Sequence, residues 1–173
     1  MEASRALAPR LISSDRPRLT LSDEERAAIL AEIAHYEHPR AASIEALNIV
    51  QRHRGWVPDE AIMSIAELLG IPSSEVEGVA TFYSQIFRQP VGRHVIRLCD
   101  SMTCYINGHE TLLDVIQREL GIAPGQTTPD KRFTLIPVCC LGHCDKGPAF
   151  MVDEDTYGQV AAAELMGVLE AYR

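Results

Sequence analysis

The chain has 173 residues, of which 46% are hydrophobic, and its 24 acidic and 16 basic residues give a formal net charge of −8. This length suits one ordinary domain, or a helical segment joined to a small α/β segment, with enough apolar material for a core. The acidic balance excludes nucleic acid as an expected ligand, because like charges repel a phosphate backbone. No apolar run approaches the ~20 residues of a membrane-spanning helix, so we expect no direct membrane insertion.

Residues 1–20 are predicted to form a flexible N-terminal arm. They contain no apolar stretch of the secretory type, so export is not expected. Four arginines with several serines are typical of an organellar transit peptide, but Glu2 and Asp15 argue against one, since such peptides are poor in acids. We therefore interpret this segment as a flexible or partner-docking arm.

Residues 21–89 are predicted to form a helical bundle. Ser22 and Glu25 make an S-x-x-E capping box at the start of a helix whose apolar positions continue to Tyr36. Apolar residues at helical spacing, which include Ile44, indicate further helices. These are predicted over residues 43–55, 58–70 and 73–83.

Residues 90–173 change to a mixture of strands and helices. The segments HVIRLC (94–99) and RFTLIPVC (132–139) are rich in strand-forming residues. An amphipathic helix is predicted between them, over residues 108–120. The last predicted elements are two short strands, 149–152 and 157–160, on either side of an acidic turn at 153–155, and a helix over 163–172.

This order of elements predicts an α+β fold. Two strands joined through a helix favour a parallel βαβ unit, and the later short strands favour an antiparallel edge. We expect an N-terminal helical bundle followed by a thioredoxin-like α/β domain, in which two helices flank a small mixed sheet.

The cysteines of the second half form two closely spaced pairs. Cys99 and Cys104 make a C-x4-C just past the first predicted strand, and Cys140 and Cys144 make a C-x3-C just past the second. Parallel neighbouring strands would bring both pairs to one edge of the sheet, where ligands bind in open α/β folds. With no export signal, clustered cysteines indicate a metal or redox site more often than disulfides. The pattern therefore predicts four thiolates around one metal centre.

Iron and zinc are both compatible with four cysteines. Such sites hold structural zinc as well as [2Fe–2S] clusters. A plant-type ferredoxin is excluded, because Asn107 stands where its C-x4-C-x2-C pattern needs a third cysteine. A thioredoxin-type dithiol is disfavoured, because the chain has no C-x-x-C.

Cys139 and Cys140 are adjacent, so only one of them should face the metal if both lie on a strand. We assign Cys140 as the ligand and Cys139 as a small buried hydrophobe. His143 and His109 are interpreted as non-ligands, because a Rieske-type site needs two histidines placed alike. We expect His109 to lie on the helix and His143 to be exposed.

The loops around the cysteines favour a cluster. Gly142 and Gly147 would let backbone N–H groups approach the sulfurs closely, and such hydrogen bonds tune an iron–sulfur centre. Ser101 and Thr103 could act in the same way on the other side, or could serve only as turn residues.

Three stretches of the chain carry a family resemblance. They are GWVPDEAIMSIAELLGIPSSEVEGVATFYSQIF, CDSMTCYINGHETLLDVIQRELGI and PGQTTPDKRFTLIPVCCLGHCDKGPAFMVDEDTYG. Together they resemble the thioredoxin-like [2Fe–2S] ferredoxin subunit of complex I, the NADH:quinone oxidoreductase, which is the E subunit in bacteria. The resemblance implies one [2Fe–2S] cluster on Cys99, Cys104, Cys140 and Cys144, with Cys139 not a ligand.

The resemblance also implies a function within a complex. Residues 21–89 would dock onto the neighbouring subunit that binds FMN and NADH, and residues 90–173 would accept single electrons from that flavin. This chain shows no nucleotide fingerprint of its own, so we expect no catalytic residue on it and assign turnover to the assembled oxidoreductase. The complex would hold it at the cytoplasmic face of the bacterial plasma membrane, or in the mitochondrial matrix of a eukaryote.

Three alternatives remain open from the sequence. Equivalent subunits occur in NAD-dependent hydrogenases and formate dehydrogenases. A free ferredoxin is a second alternative, although a diffusing carrier has little use for a helical half. A structural subunit that holds zinc in the same four cysteines is the third.

Overall fold

The computed structural model describes residues 21–173, and the arm predicted for residues 1–20 lies outside this range. The architecture is the predicted α+β fold, with helices first and a four-stranded mixed sheet after them. None of the helices in the described part of the chain combines the length and the apolarity of a bilayer-spanning segment.

Four helices make up the described part of the first half. They are α1 (Asp23–Ile33), α2 (Ser43–Arg54), α3 (Asp59–Leu69) and α4 (Ser73–Phe82), with a 3-10 turn (Pro39–Ala42) before α2. The predicted capping box is confirmed: the Glu25 carboxylate accepts from the Ser22 N–H at 2.7 Å, and the Ser22 hydroxyl accepts from the Glu25 N–H at 3.1 Å. Gly55 and Gly70 end α2 and α3 in the left-handed region, which a residue without a Cβ adopts at little cost.

The helical half has its own apolar core. Its fully buried members include Ile29 from α1, Leu47 from α2, Ile65 from α3 and Val76 from α4. One detail of the prediction is wrong: α1 ends at Ile33, so that Tyr36 lies beyond the helix. On α2, Leu47 is fully buried, whereas Ile44 is 37% exposed.

The second half contains a small mixed sheet. Its elements are β1 (His94–Cys99), α5 (Met102–Ile106), α6 (His109–Leu120), β2 (Phe133–Val138), a 3-10 turn (Cys144–Lys146), β3 (Ala149–Val152), β4 (Asp155–Gly158) and α7 (Ala162–Leu169). The strand order is β2-β1-β3-β4. β1 and β2 are parallel, whereas β3 pairs antiparallel with both β1 and β4. This confirms the predicted βαβ unit and antiparallel edge.

One face of the sheet carries the core of the second half. Ile96, Phe133 and Phe150 point from three strands toward α6 and α7, which pack against each other over this face. On the opposite face, Arg97 donates hydrogen bonds to the Asp153 carbonyl and to the side chain of Gln85 from the helical half. Because side chains alternate along β1, one face of the strand contributes to the core of the second half and the other face contacts the helical half.

The ends of several elements differ from the prediction. The second strand stops at Val138 instead of residue 139, the last strand begins at Asp155 instead of residue 157, and the last helix spans Ala162–Leu169. Asp153 has a φ of 52° and its carboxylate accepts from the Val95 N–H at 2.9 Å. That hydrogen bond fixes a turn shorter than the predicted turn over residues 153–155. Asp155 is therefore the first residue of β4. α5 was not predicted at all.

Candidate metal centre

Four segments position the four predicted ligands. Cys99 is the last residue of β1, Cys104 lies in α5, Cys140 follows the end of β2, and Cys144 begins the second 3-10 turn. Because β1 and β2 are parallel and Cys99 pairs with Val138, both strands end at the same edge of the sheet. The structure thus places the C-x4-C and C-x3-C segments together at that edge, as predicted.

The thiols form an inner pair and an outer pair. Cys99 and Cys104 are each 1% exposed and pack in one small buried cluster with Ala149. The Sγ atoms of Cys140 and Cys144 lie 3.1 Å apart, and both residues are exposed. One pair therefore faces the interior of the domain, and the other faces the surface.

Ser101 lies between the two pairs. Its Oγ is 3.2 Å from the Sγ of Cys99, and its hydroxyl also contributes, after Cys144 and the Gly142 amide, to lowering the pKa of Cys140. Although Ser101 is the N-cap residue of α5, its side chain makes no capping hydrogen bond. Of the two roles considered for this residue, contact with the sulfurs is the one that the structure supports.

Hydrogen bonds divide each pair into one more acidic and one less acidic thiol. Burial raises the pKa of Cys99, but hydrogen bonds from Ser101 and from the Leu141 amide outweigh it and bring the pKa below its usual value. Burial and the bond to Cys99 raise the pKa of Cys104. In the outer pair, the Cys144 thiol and the Gly142 amide lower the pKa of Cys140, while the pKa of Cys144 rises through its bond to Cys140.

Backbone amides also approach the sulfurs. Gly142 has a φ of +80°, and its N–H donates to the Cys140 Sγ at 3.4 Å, so this glycine acts as predicted. A Cβ on Gly147 would lie 3.5 Å from the Cys104 Sγ, and the Ala149 amide partly opposes the rise in the pKa of Cys104. The backbone between Gly142 and Ala149 therefore surrounds the cysteines closely.

The prediction for Cys139 is wrong in one respect. Cys139 is exposed and lies past the end of β2, so the alternation of faces along a strand does not apply to it. His143 is half-buried, contrary to the prediction, because it packs beside Gly158 of β4. His109 lies on α6, as expected.

Two contributors to the site were missed by the sequence reasoning. His109 is buried, and its Nδ1 lies 2.9 Å from the Cys99 carbonyl oxygen. Gly158 lies so close to the Cys144 turn that an added Cβ would come within 2.7 Å of the Lys146 carbonyl oxygen. Neither residue has a local sequence signal, because both act through contacts between distant segments.

The donor set fits a [2Fe–2S] cluster, which binds through four cysteine thiolates. Four cysteines also suit a structural zinc ion. In residues 21–173, no group of three or more histidine, cysteine or carboxylate side chains is placed to hold a metal ion. Thiols must lose their protons to bind metal. The hydrogen bonds to Cys99 and Cys140 therefore favour metal binding by one thiolate in each pair.

Comparison with known proteins identifies a family model and related sequences that match this chain. The family model "Thioredoxin-like [2Fe-2S] ferredoxin" matches residues 29–173. The E subunit of the NADH-quinone oxidoreductase of Pseudomonas aeruginosa is 65% identical over 162 residues, which cover 94% of this chain and 96% of that protein. The E subunit of the Escherichia coli K12 enzyme is 63% identical over 153 residues, which cover 88% of this chain and 92% of that protein.

A solved structure shows the same fold at lower identity. The crystal structure of an NAD+-reducing [NiFe]-hydrogenase in its H2-reduced state superposes with a TM-score of 0.62 and 24% identity. The match covers 73% of this chain and 22% of that one. Since the family model spans most of the sequence, the chain belongs to the thioredoxin-like [2Fe–2S] ferredoxin family.

Proposed function

We propose that this chain is the [2Fe–2S] electron-transfer subunit in the NADH-dehydrogenase part of an NADH:quinone oxidoreductase. The observation that carries the proposal is the placement of two cysteine pairs at one sheet edge, in a chain 65% identical to an E subunit of such an enzyme over 94% of its length. The chain would take part in the reaction as one subunit and would hold no substrate site of its own.

Cys99, Cys104, Cys140 and Cys144 would each hold the cluster through a thiolate. A bound iron–sulfur cluster supplies one-electron chemistry. The protein supplies hydrogen bonds that stabilise negative charge on the sulfurs, from the Ser101 hydroxyl and from nearby amides. Burial of Cys99 and Cys104 would keep water from the inner side of the site, while the exposed outer pair would leave a side open for exchange of electrons with a partner.

The helical half is the proposed docking domain for the partner that binds flavin and NADH. Phe82 is 79% exposed at the end of α4, and its ring packs edge-to-face on that of Tyr83, with centroids 5.1 Å apart. Large exposed aromatic residues are typical of interface hot spots. The proposed division is an arm over residues 1–20, the docking domain over 21–89 and the cluster domain over 90–173.

The proposed location follows from assembly. Association with the other peripheral subunits would hold this chain at the cytoplasmic face of the plasma membrane in a bacterium. The same kind of subunit in an NAD-linked hydrogenase or formate dehydrogenase would show the same local chemistry. The identity of the subunits that co-purify with the tagged chain from its own host decides between these complexes.

The first test is the metal content and spectroscopy of the full chain purified without oxygen. We expect two irons and two sulfides per chain, and an EPR signal that is absent before dithionite and present after one-electron reduction. One zinc per chain with no sulfide would overturn the electron-transfer function. The chain would then be a structural, zinc-binding subunit with the same fold.

A further inference from the structure

His109 is a buried histidine beside the proposed ligands. It is the first residue of α6 and only 7% exposed. Its Nδ1 lies 2.9 Å from the carbonyl oxygen of Cys99. A carbonyl oxygen can only accept, so Nδ1 must carry the proton and donate. That proton is present in both the neutral Nδ1–H form and the charged form of the ring, so the bond does not depend on a change of protonation.

The same ring also contacts the segment that carries the second inner thiol. It stacks on Tyr105 of α5, with centroids 6.2 Å apart and planes at 28°. Tyr105 directly follows Cys104, and its hydroxyl donates to Glu110 of α6 at 3.1 Å. His109 thus connects α6 to the end of β1 and to α5, which are the two elements that carry Cys99 and Cys104.

We propose that His109 is a positioning residue that fixes the inner cysteine pair and raises the reduction potential of the cluster, an inference that rests on the proposed [2Fe–2S] function. The donor places the positive end of an N–H dipole next to the Cys99 backbone. Reduction adds one negative charge to the cluster, and hydrogen bonds near the ligands stabilise the more negative state. Loss of the donor therefore favours the oxidised form.

The test compares the full chain with three single variants, each purified without oxygen. His109→Phe keeps a flat ring of similar size against Tyr105 but removes the donor. His109→Asn loses the ring but keeps an N–H in the place of Nδ1. His35→Phe is the matched control, because His35 is exposed on the helical half. Iron and sulfide are measured first, and the midpoint potential is then followed by EPR during a redox titration.

We expect His109→Phe to retain its iron and to shift the equilibrium between reduced and oxidised cluster toward the oxidised form by roughly threefold, as suits the loss of one hydrogen bond. His109→Asn should titrate close to the unaltered chain, and so should His35→Phe. If His109→Phe loses its iron, the His109→Asn variant tests the proposal instead. Retained iron and an unaltered midpoint potential in His109→Asn would support the role of the N–H donor.

Two outcomes overturn the inference. One is a His109→Phe protein with full iron and an unaltered potential. The other is loss of the cluster in both His109 variants, which would give the ring a structural role only. Absence of iron and sulfide from the unaltered chain would instead overturn the proposed function, so the two failures are distinguishable.

Discussion

The thiols of Cys140 and Cys144 lie 3.1 Å apart across a turn that holds Gly142 at a φ of +80°. A residue with a Cβ would be strained in this conformation. The turn brings the two sulfurs together, and the Gly142 amide donates to one of them. The outer half of the proposed site is therefore organised by the backbone.

The two adjacent cysteines should respond differently to substitution. We expect Cys140→Ser to lose most of its bound iron, because it removes a thiolate from the outer pair. Cys139→Ser should keep its iron and its EPR signal, because Cys139 is exposed beyond the end of β2. Iron, sulfide and EPR of both variants check this. A colourless Cys139→Ser protein beside a brown Cys140→Ser protein would reverse the assignment.

Substitution of Gly158 should disturb the proposed metal site, although Gly158 is not one of the predicted ligands. In Gly158→Ala the new Cβ would lie 2.7 Å from both the Lys146 carbonyl oxygen and His143 Cδ2, so the turn that begins at Cys144 must move. Such overpacking costs about 1–3 kcal/mol, and we expect a lower iron content with it. Thermal unfolding and iron analysis measure the two effects.

The matched control for this substitution is Gly167→Ala on α7. A Cβ there meets nothing within 4 Å, and alanine is the better helix former by up to about 1 kcal/mol. Gly167→Ala should therefore keep its iron and unfold at the same or a higher temperature. Equal iron contents in the two alanine variants would show that the contact at Gly158 does not position Cys144.

The parts of the fold and site that could be predicted are those with a local signal. The strand over residues 94–99 was predicted with its observed bounds, because β-branched residues are frequent in it. The meeting of the two cysteine pairs followed from parallel pairing of β1 and β2. Both inferences need only spacing and residue type.

The rest depends on contacts that spacing does not reveal. α5 is a five-residue helix over Met102–Ile106, too short to show a helical period, so the first cysteine loop was predicted without it. The end of β2 at Val138 decided the exposure of Cys139, and strand ends are not fixed by residue type alone. The contact of His109 with Cys99 joins separate elements and has no local signature.

The exposed aromatic pair on the helical half should matter for assembly and not for the cluster. We expect Phe82→Ala with Tyr83→Ala to weaken binding to the flavin-bearing partner by about 30-fold or more, since a hot spot contributes about 2 kcal/mol or more. Iron content should stay the same, because the two aromatic residues lie on the helical half and the four predicted ligands lie on the other half. Co-purification from the host and an affinity titration check this.

A comparable exposed residue serves as the control for assembly. Met63 on α3 is 51% exposed, and we expect Met63→Ala to leave co-purification unchanged. Undiminished binding by the Phe82 and Tyr83 double variant would contradict the docking role of this surface.

The Glu25–Arg54 pair should make the stability of the helical half depend on pH. Glu25 is 2% exposed, and the Nε of Arg54 donates to its Oε1 at 2.6 Å. Burial opposes ionisation of Glu25, but hydrogen bonds from Arg54 and from the Ser22 N–H outweigh it, so the pKa of Glu25 is lowered. A lowered folded-state pKa means that the carboxylate stabilises the folded protein above its unfolded pKa, and that this contribution is lost as the pH falls through the folded pKa.

Glu25→Gln removes the charge but keeps an oxygen that can accept from Ser22. At pH 7 we expect it to lower the free energy of unfolding by about 2 kcal/mol, the range of a hydrogen-bonded charged pair that is largely buried. The deficit should shrink as the pH falls from about 4.5, the ordinary pKa of a glutamic acid, through the lower folded-state pKa, because Glu25 takes up its proton first in the unfolded chain. Trp56, the single tryptophan of the chain, lies in the helical half and reports its urea unfolding by fluorescence, apart from any loss of metal in the other half. A deficit that stays constant as the pH falls well below 4.5 would show that the charge of Glu25 does not provide the stabilisation.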